Sequence, residues 1–205
     1  MTAQPSSPPS DPPPDRSSQQ PQPGPRDRLL AAVVDHVARH GLGDLSLRSL
    51  ATSVGTSHRM LIYHFGSKEG LLAEVVATVE AGQRAVLADL AASDDPPAVA
   101  MRRFWHGLTD PAVREHVRLF FEIVALALQG RPGTERLRDT LVEPWLEVVA
   151  AHGVRLGLDP DVARAQARLG TAVTRGLLLD LLATGDRAGV DAAMDAFLDA
   201  FLPAD

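Results

Sequence analysis

Between positions 46 and 68 the chain gathers side chains suited to gripping an anionic duplex. Arg48, Arg59 and Lys68 are cations, Ser46, Thr56 and Ser57 are hydroxyls, and His58, Met60, Tyr63 and His64 add donors and contact surface. Arginine can bridge O6 and N7 of a guanine, while lysine and the N–H groups of a helix start hold phosphate. Other chemistry lacks its residues. There is no cysteine, so thiolate metal sites, disulfides and cysteine nucleophiles are excluded. No G-x-S-x-G, phosphate loop or dinucleotide fingerprint occurs, and no Ser, His and Asp stand in a nucleophile's local arrangement. His36 and His40 are one helical turn apart but have no third ligand nearby, so a capping or surface role fits them better than a metal. The chain reads as a non-enzyme without metal or cofactor.

Helices must position those side chains. Ser46 is suited to cap a helix on which Leu47, Leu50, Ala51 and Val54 form one apolar face. Gly55 follows where a tight turn needs positive φ. Thr56 and Ser57 supply the next cap, and Leu61 and Phe65, four apart, pack back on the first helix. His58, Arg59, Ile62, Tyr63 and His64 then face outward together. Ser67 caps a third helix, with Glu69 in its first turn where the helix dipole favours an acid. The helices are short for a bundle, and the outward face carries cations and aromatics. This is a helix-turn-helix layout, with the helix around Ser57–His64 as the reader of the major groove. Arg48 and Arg59 are the candidates for base or phosphate contact, and His58, Met60, Tyr63 and His64 complete the reading surface. Lys68 and the capped starts at Ser46 and Ser67 would hold phosphates.

The segment GTSHRMLIYHFGSKEGLL, preceded by LSLRSLATSVG, resembles the DNA-binding signature of the TetR family of transcriptional regulators. The close resemblance runs from about Arg26 to Val76; beyond it the match is one of plan. It implies an all-α protein with a helix-turn-helix head and a helical body that holds a hydrophobic effector and pairs through its last two helices. It also implies repression of a palindromic operator, relieved by ligand. One departure counts: Ile62 stands where the family usually has a tyrosine on phosphate, so that contact is expected to be lost. His58 and Met60 are also uncommon choices, and the operator sequence cannot be borrowed.

The rest of the chain is less specific. The aromatics Phe104, Trp105, Phe120, Phe121 and Trp145 read either as plain core or, if the body is TetR-like, as a cavity wall with polar groups from among His106, His116, Arg118, Glu122 and Arg175. The last two helices mix small residues with leucine and phenylalanine. Gly170, Val173, Leu177, Leu181, Met194, Phe197, Leu198 and Phe201 could close the protomer's own core or form a homodimer surface, and the resemblance favours the dimer.

Charge and composition set the boundaries. The 205 residues carry a net charge of −6. Residues 26–70 hold six Lys/Arg against four Asp/Glu, while residues 71–205 hold thirteen against twenty. A mildly basic head on an acidic body presents one face to phosphate. Residues 1–25 hold nine of the sixteen prolines. With Arg16 against two aspartates this segment makes a poor minor-groove arm and reads as a disordered tail. The expected organisation is therefore a tail at 1–25, a DNA-binding domain at 26–72 and an effector-binding and dimerisation domain at 73–205, with about nine helices and no strand. One of these helices runs from Thr134 to Leu156, with Pro144 as a kink or restart. Neither a signal peptide nor a membrane span is visible, so the cytoplasm is the expected location. Two rival classes stay open on sequence alone: an architectural DNA-binding protein without an effector, and a helical protein–protein interaction module.

Overall fold

The computed structural model describes residues 24–40 and 46–202. The expected tail lies outside them except for Gly24 and Pro25. Pro25 belongs to the first helix, as residue one of α1, Pro25–His40. There its fixed φ suits the helix and its missing N–H would be unpaired anyway. The head continues with α2, Leu47–Ser53, and α3, His58–Phe65. The long α4, Lys68–Ala91, passes from head to body.

The body holds α5, Pro97–Leu108, and then a 3₁₀ turn, Pro111–Val113, leading into α6, Arg114–Leu128. The expected helix from Thr134 to Leu156 is two: α7, Glu135–Thr140, and α8, Glu143–Arg155. Pro144 acts as the restart, since it cannot donate to a preceding turn but fits the first turn of a new helix. The chain finishes with α9, Pro160–Thr184, and α10, Arg187–Phe201, joined through Gly185 at φ 74°. Among the described residues the fold is all-α, with no strand. None of these helices is long and apolar enough to cross a membrane.

The core is continuous from head to body. Val33 and Val37 of α1 pack with Leu50, Ala51, Leu61 and Phe65, and the same cluster runs along α4 to Leu119, Ile123 and Leu137. Burying each such leucine contributes about 1.5–3 kcal/mol. A second cluster joins Trp105 to Leu178, Val190, Met194 and Leu198, and a third joins Leu87, Phe104 and Trp145. Helix α4 is the common beam: it touches α1, α3, α5, α6, α7 and α8.

Candidate nucleic-acid interface and effector cavity

Three serines build the head. Ser46 Oγ accepts from the Ser49 N–H at 3.1 Å, Ser57 Oγ from Met60 at 3.2 Å, and Ser67 Oγ from Gly70 at 2.9 Å. Each satisfies an N–H that a helix start leaves unpaired. Between α2 and α3, Gly55 takes φ 72° and the Thr56 N–H closes the turn on the Ala51 carbonyl at 2.8 Å. Ser57 alone caps α3; Thr56 serves the turn through its backbone.

Leu61 and Phe65 are buried beneath α3, which turns the opposite face outward. His58, Arg59, Met60 and Tyr63 are exposed there, Tyr63 at 78%. His64 is half-buried and meets Tyr63 edge-on, ring centroids 5.0 Å apart. Arg48 is exposed on α2, and Lys68 is exposed as the first residue of α4. Ser46 and Ser57 are exposed, while Thr56 and Ile62 are half-buried. Neither Arg48, Arg59 nor Lys68 forms an ion pair with an acid among the described residues. Cations without acids on a surface that also offers an aromatic ring and capped helix starts suit phosphate and base contact. His36 and His40 stack on α1 with centroids 4.5 Å apart, and no three-ligand cluster occurs among the described residues.

Sequence reasoning missed how the head is fastened. A Cβ on Gly70 would strike the Phe65 carbonyl oxygen, and one on Gly133 would come within 3.1 Å of the Gly70 Cα. The loop before α7 is thus seated directly on the start of α4. One turn on, Glu74 pairs with Arg26 of α1 at 3.2 Å and with Arg136 of α7 at 2.9 Å. Arg26 also lies over the Phe65 ring, 5.1 Å from its centroid. No local pattern signals these pairs, because their members are far apart along the chain.

Within the body lies a cavity of about 290 Å³. Phe104, Phe120, Trp145 and Arg175 line it, together with His116. Two other expected wall residues are elsewhere. Trp105 is only 2% exposed and belongs to the core against α10, where its Nε1 donates to Asp191 at 2.6 Å. Phe121 packs between two core clusters. Adjacent positions on one helix point about 100° apart, so Phe104 and Phe120 face the cavity and their neighbours do not. His106 is exposed, and Arg118 pairs with Glu122 at 3.1 Å on the surface. The head contributes to the wall directly, through Val34 and Ala38 of α1.

Glu80, the cavity's carboxylate, was not foreseen. Glu80 Oε2 accepts from Trp145 Nε1 at 2.7 Å and from Arg175 Nη2 at 3.3 Å, and Arg175 Nη2 also donates to the Leu141 carbonyl at 2.6 Å. Burial pushes the Glu80 carboxyl above its ordinary range despite the nearby Arg175. It likewise pushes Arg175 downward against the pull of Glu80. Desolvation therefore outweighs pairing at both ends, as is common for ions drawn inside a protein.

On α9 and α10, Met194 and Leu198 are buried in their own protomer against Trp105 and Leu178, which leaves them little surface for a partner. Gly170, Val173, Leu177, Leu181 and Phe197 are half-buried, and Phe201 is 42% exposed. The outer face of α9 adds Leu169 and Leu179, both exposed.

A helix-turn-helix head joined by one long helix to an all-helical body with an internal cavity defines a class of DNA-binding regulator. Residues 29–75 match the family model for bacterial regulatory proteins of the tetR family. The chain is 30% identical over 183 residues to the HTH-type transcriptional regulator BetI of Pseudomonas aeruginosa, covering 84% of this chain and 88% of that one. It is 29% identical over 145 residues to BetI 1 of Chromohalobacter salexigens, covering 71% of this chain and 59% of the relative's length. Its fold matches that of a transcriptional regulator from Rhodococcus sp. Rha1 with a TM-score of 0.65 at 22% identity, over 86% of this chain and 95% of that one. The chain belongs to the TetR family.

Proposed function

We propose that this chain is a sequence-specific transcriptional repressor that acts in the cytoplasm as a homodimer and leaves a palindromic operator when an apolar small molecule occupies the body. The observation that carries this reading is the shared wall: Val34 and Ala38 of α1 line the same cavity as Phe104 and Trp145 of the body. A ligand there touches the head's first helix with no intervening element. Occupancy favours a head orientation unsuited to successive major grooves, and DNA is released as a shift in population.

Two copies are needed because a two-fold protein reads two half-sites a helical turn or more apart. The outer stripe of α9, with Leu169 and Leu179 alongside Gly176, together with Phe201 of α10, supports the pairing surface: its apolar side chains stand exposed at 41%, 52% and 42%. Small residues among them allow close helix approach. The reading helix is α3, with Arg59 and Tyr63 one turn apart on its open face; Arg48 and Lys68 flank it.

Selection from a random duplex pool by the purified chain tests this reading. Enrichment of a two-fold symmetric site is the expected result. Binding without enrichment would favour an architectural protein, and no binding at low salt, where phosphate contacts are strongest, would overturn the reading.

A further inference from the structure

We propose that the effector is an apolar molecule with a single anionic head, its body against Phe104, Phe120 and Trp145 and its head on Arg175. This inference rests on the effector-cavity reading and names the chemistry of the same site. The cavity wall is mainly aromatic and aliphatic, so its few polar groups decide which head is accepted. Among the charged groups the unused capacity is mostly donor. Arg175 uses Nη2 on Glu80 and on the Leu141 carbonyl, while its Nε and Nη1 meet no acceptor among the described residues. Its guanidinium lies over the Phe120 ring, 5.2 Å from the centroid, at the edge of the cavity. Gln83 and Thr174 also line the cavity, and neither side chain makes a hydrogen bond among the described residues. Gln83, Thr174 and the His116 imidazole can each donate or accept, so the charged groups decide; the one anionic acceptor is the Oε1 of Glu80, whose Oε2 already serves Trp145 and Arg175.

The charge balance runs the same way. Arg84 lies over Trp145, 5.8 Å from the ring centroid, and its Nη1 is buried without a partner among the described residues. Two guanidiniums therefore surround one carboxylate. An entering cation would find one open carboxylate oxygen beside two guanidiniums that repel it, whereas an entering anion finds a donor fork with open positions. The buried Glu80, already inclined toward its neutral form, can take up a proton as the anion arrives, so repulsion between the two is relieved.

The anion's effect would be transmitted by the same guanidinium. Arg175 holds the carbonyl of Leu141, the residue that ends α7. Helix α7 in turn carries Arg136 to Glu74, which also holds Arg26 of α1. A head group that draws Arg175 away loosens α7 beside the clamp on the DNA-binding head.

The test uses three ligands of one chain length: decanesulfonate, decanol and decyltrimethylammonium. Each displaces the fluorescent probe N-phenyl-1-naphthylamine from the full chain below its micelle concentration. The expected order has decanesulfonate about tenfold or more tighter than decanol, and the cation weakest, as one charge-assisted hydrogen-bond set implies. Arg175→Met should collapse the sulfonate-to-alcohol ratio to about one, and Arg175→Lys should retain part of it. Glu80→Gln should raise sulfonate affinity several-fold, an outcome independent of whether the Arg175 variants fold. The cation binding best, or a ratio unmoved in Arg175→Met and Glu80→Gln, overturns the anionic head while leaving the cavity reading intact. If the probe and all three ligands fail to bind, both readings fall.

Discussion

The reading head and the middle of the body, α5 to α8, begin their helices differently. Each helix start between Ser46 and Ser67 is tied by a serine side chain to its own backbone. By contrast α5, α6, α7 and α8 start without a side-chain cap. Contacts distant in sequence hold α5, α7 and α8 instead: Arg102 with Asp195, Arg187 with the Thr109 carbonyl just after α5, Arg136 with Glu74, Arg164 with Glu143 and Trp145 with Glu80. A reading head must present side chains at a set register, and local caps fix that register one helix at a time. On the proposed reading, the body's joints are of a kind that a ligand could exchange. Glu74, with one oxygen toward α1 and the other toward α7, links the two kinds of construction.

The largest expected effect breaks the contrast at its base. Leu61 is 1% exposed and joins α3 to the cluster shared by head and body. Leu61→Ala should cost about 2–5 kcal/mol in a denaturant melt and remove DNA binding with it. A melt in which the head unfolds apart from the body would show that the continuous core does not couple them. Arg59→Ala sharpens the contrast in the other direction. Its side chain is exposed, so the melting curve should stay put while specific DNA affinity falls by about 1–3 kcal/mol in a mobility-shift titration. Unchanged affinity would move the reading surface off this face.

Smaller effects separate local from distant support. Ser57→Ala should lower stability by about 1 kcal/mol, and Ser57→Asp, which keeps an acceptor at the cap, should recover most of it. Equal loss in both variants would mean the cap does not set α3. The smallest effect belongs to the body. Burial holds the His116 imidazole below its ordinary 6.5. The unfolded chain therefore binds that proton first, and the resulting stability is full above the ordinary value and lost as pH falls below it. The melting temperature should drop as pH falls below about 6.5, less steeply in His116→Gln, with His152, also depressed by burial, contributing a parallel share. Identical pH profiles for the two proteins would exclude His116 as a source.

Legibility divides along the same line. The starts of α2, α3 and α4 were readable because a serine, an apolar pair four apart and a glycine turn all act within one or two helical turns. The beginning of α9 is built in the same local way: Asp159 accepts from the Asp161 and Val162 N–H groups, with Pro160 in the first position. The cavity was only half readable. Phe104, Phe120, Trp145 and Arg175 meet there, but Trp105 and Phe121 point into core, since neighbours on a helix part by about 100° and sequence does not say which of the two a distant helix will meet. Glu80 went unnoticed because a lone glutamate in a long helix looks like an ordinary solvated residue until α8 and α9 bring Trp145 and Arg175 against it. The assignment of Met194 and Leu198 to a partner surface ran into the same ambiguity. Periodicity marks an apolar face, and only packing decides whether Trp105 of the same chain covers it.

By itself, then, the sequence determined the all-helical plan, the capped helix-turn-helix and the identity of its outward cations, because these follow from hydrogen bonds and spacings inside segments a few residues long. Tertiary structure alone decided that Gly133 rests on Gly70, that Glu74 clamps α1 to α7, and that Glu80 and Arg175 share a cavity whose wall includes the head's own first helix. These partners stand roughly 50 to 95 positions apart. Bringing them together depends on how whole helices pack, and packing is settled by the burial of many faces at once, which no short stretch of sequence records.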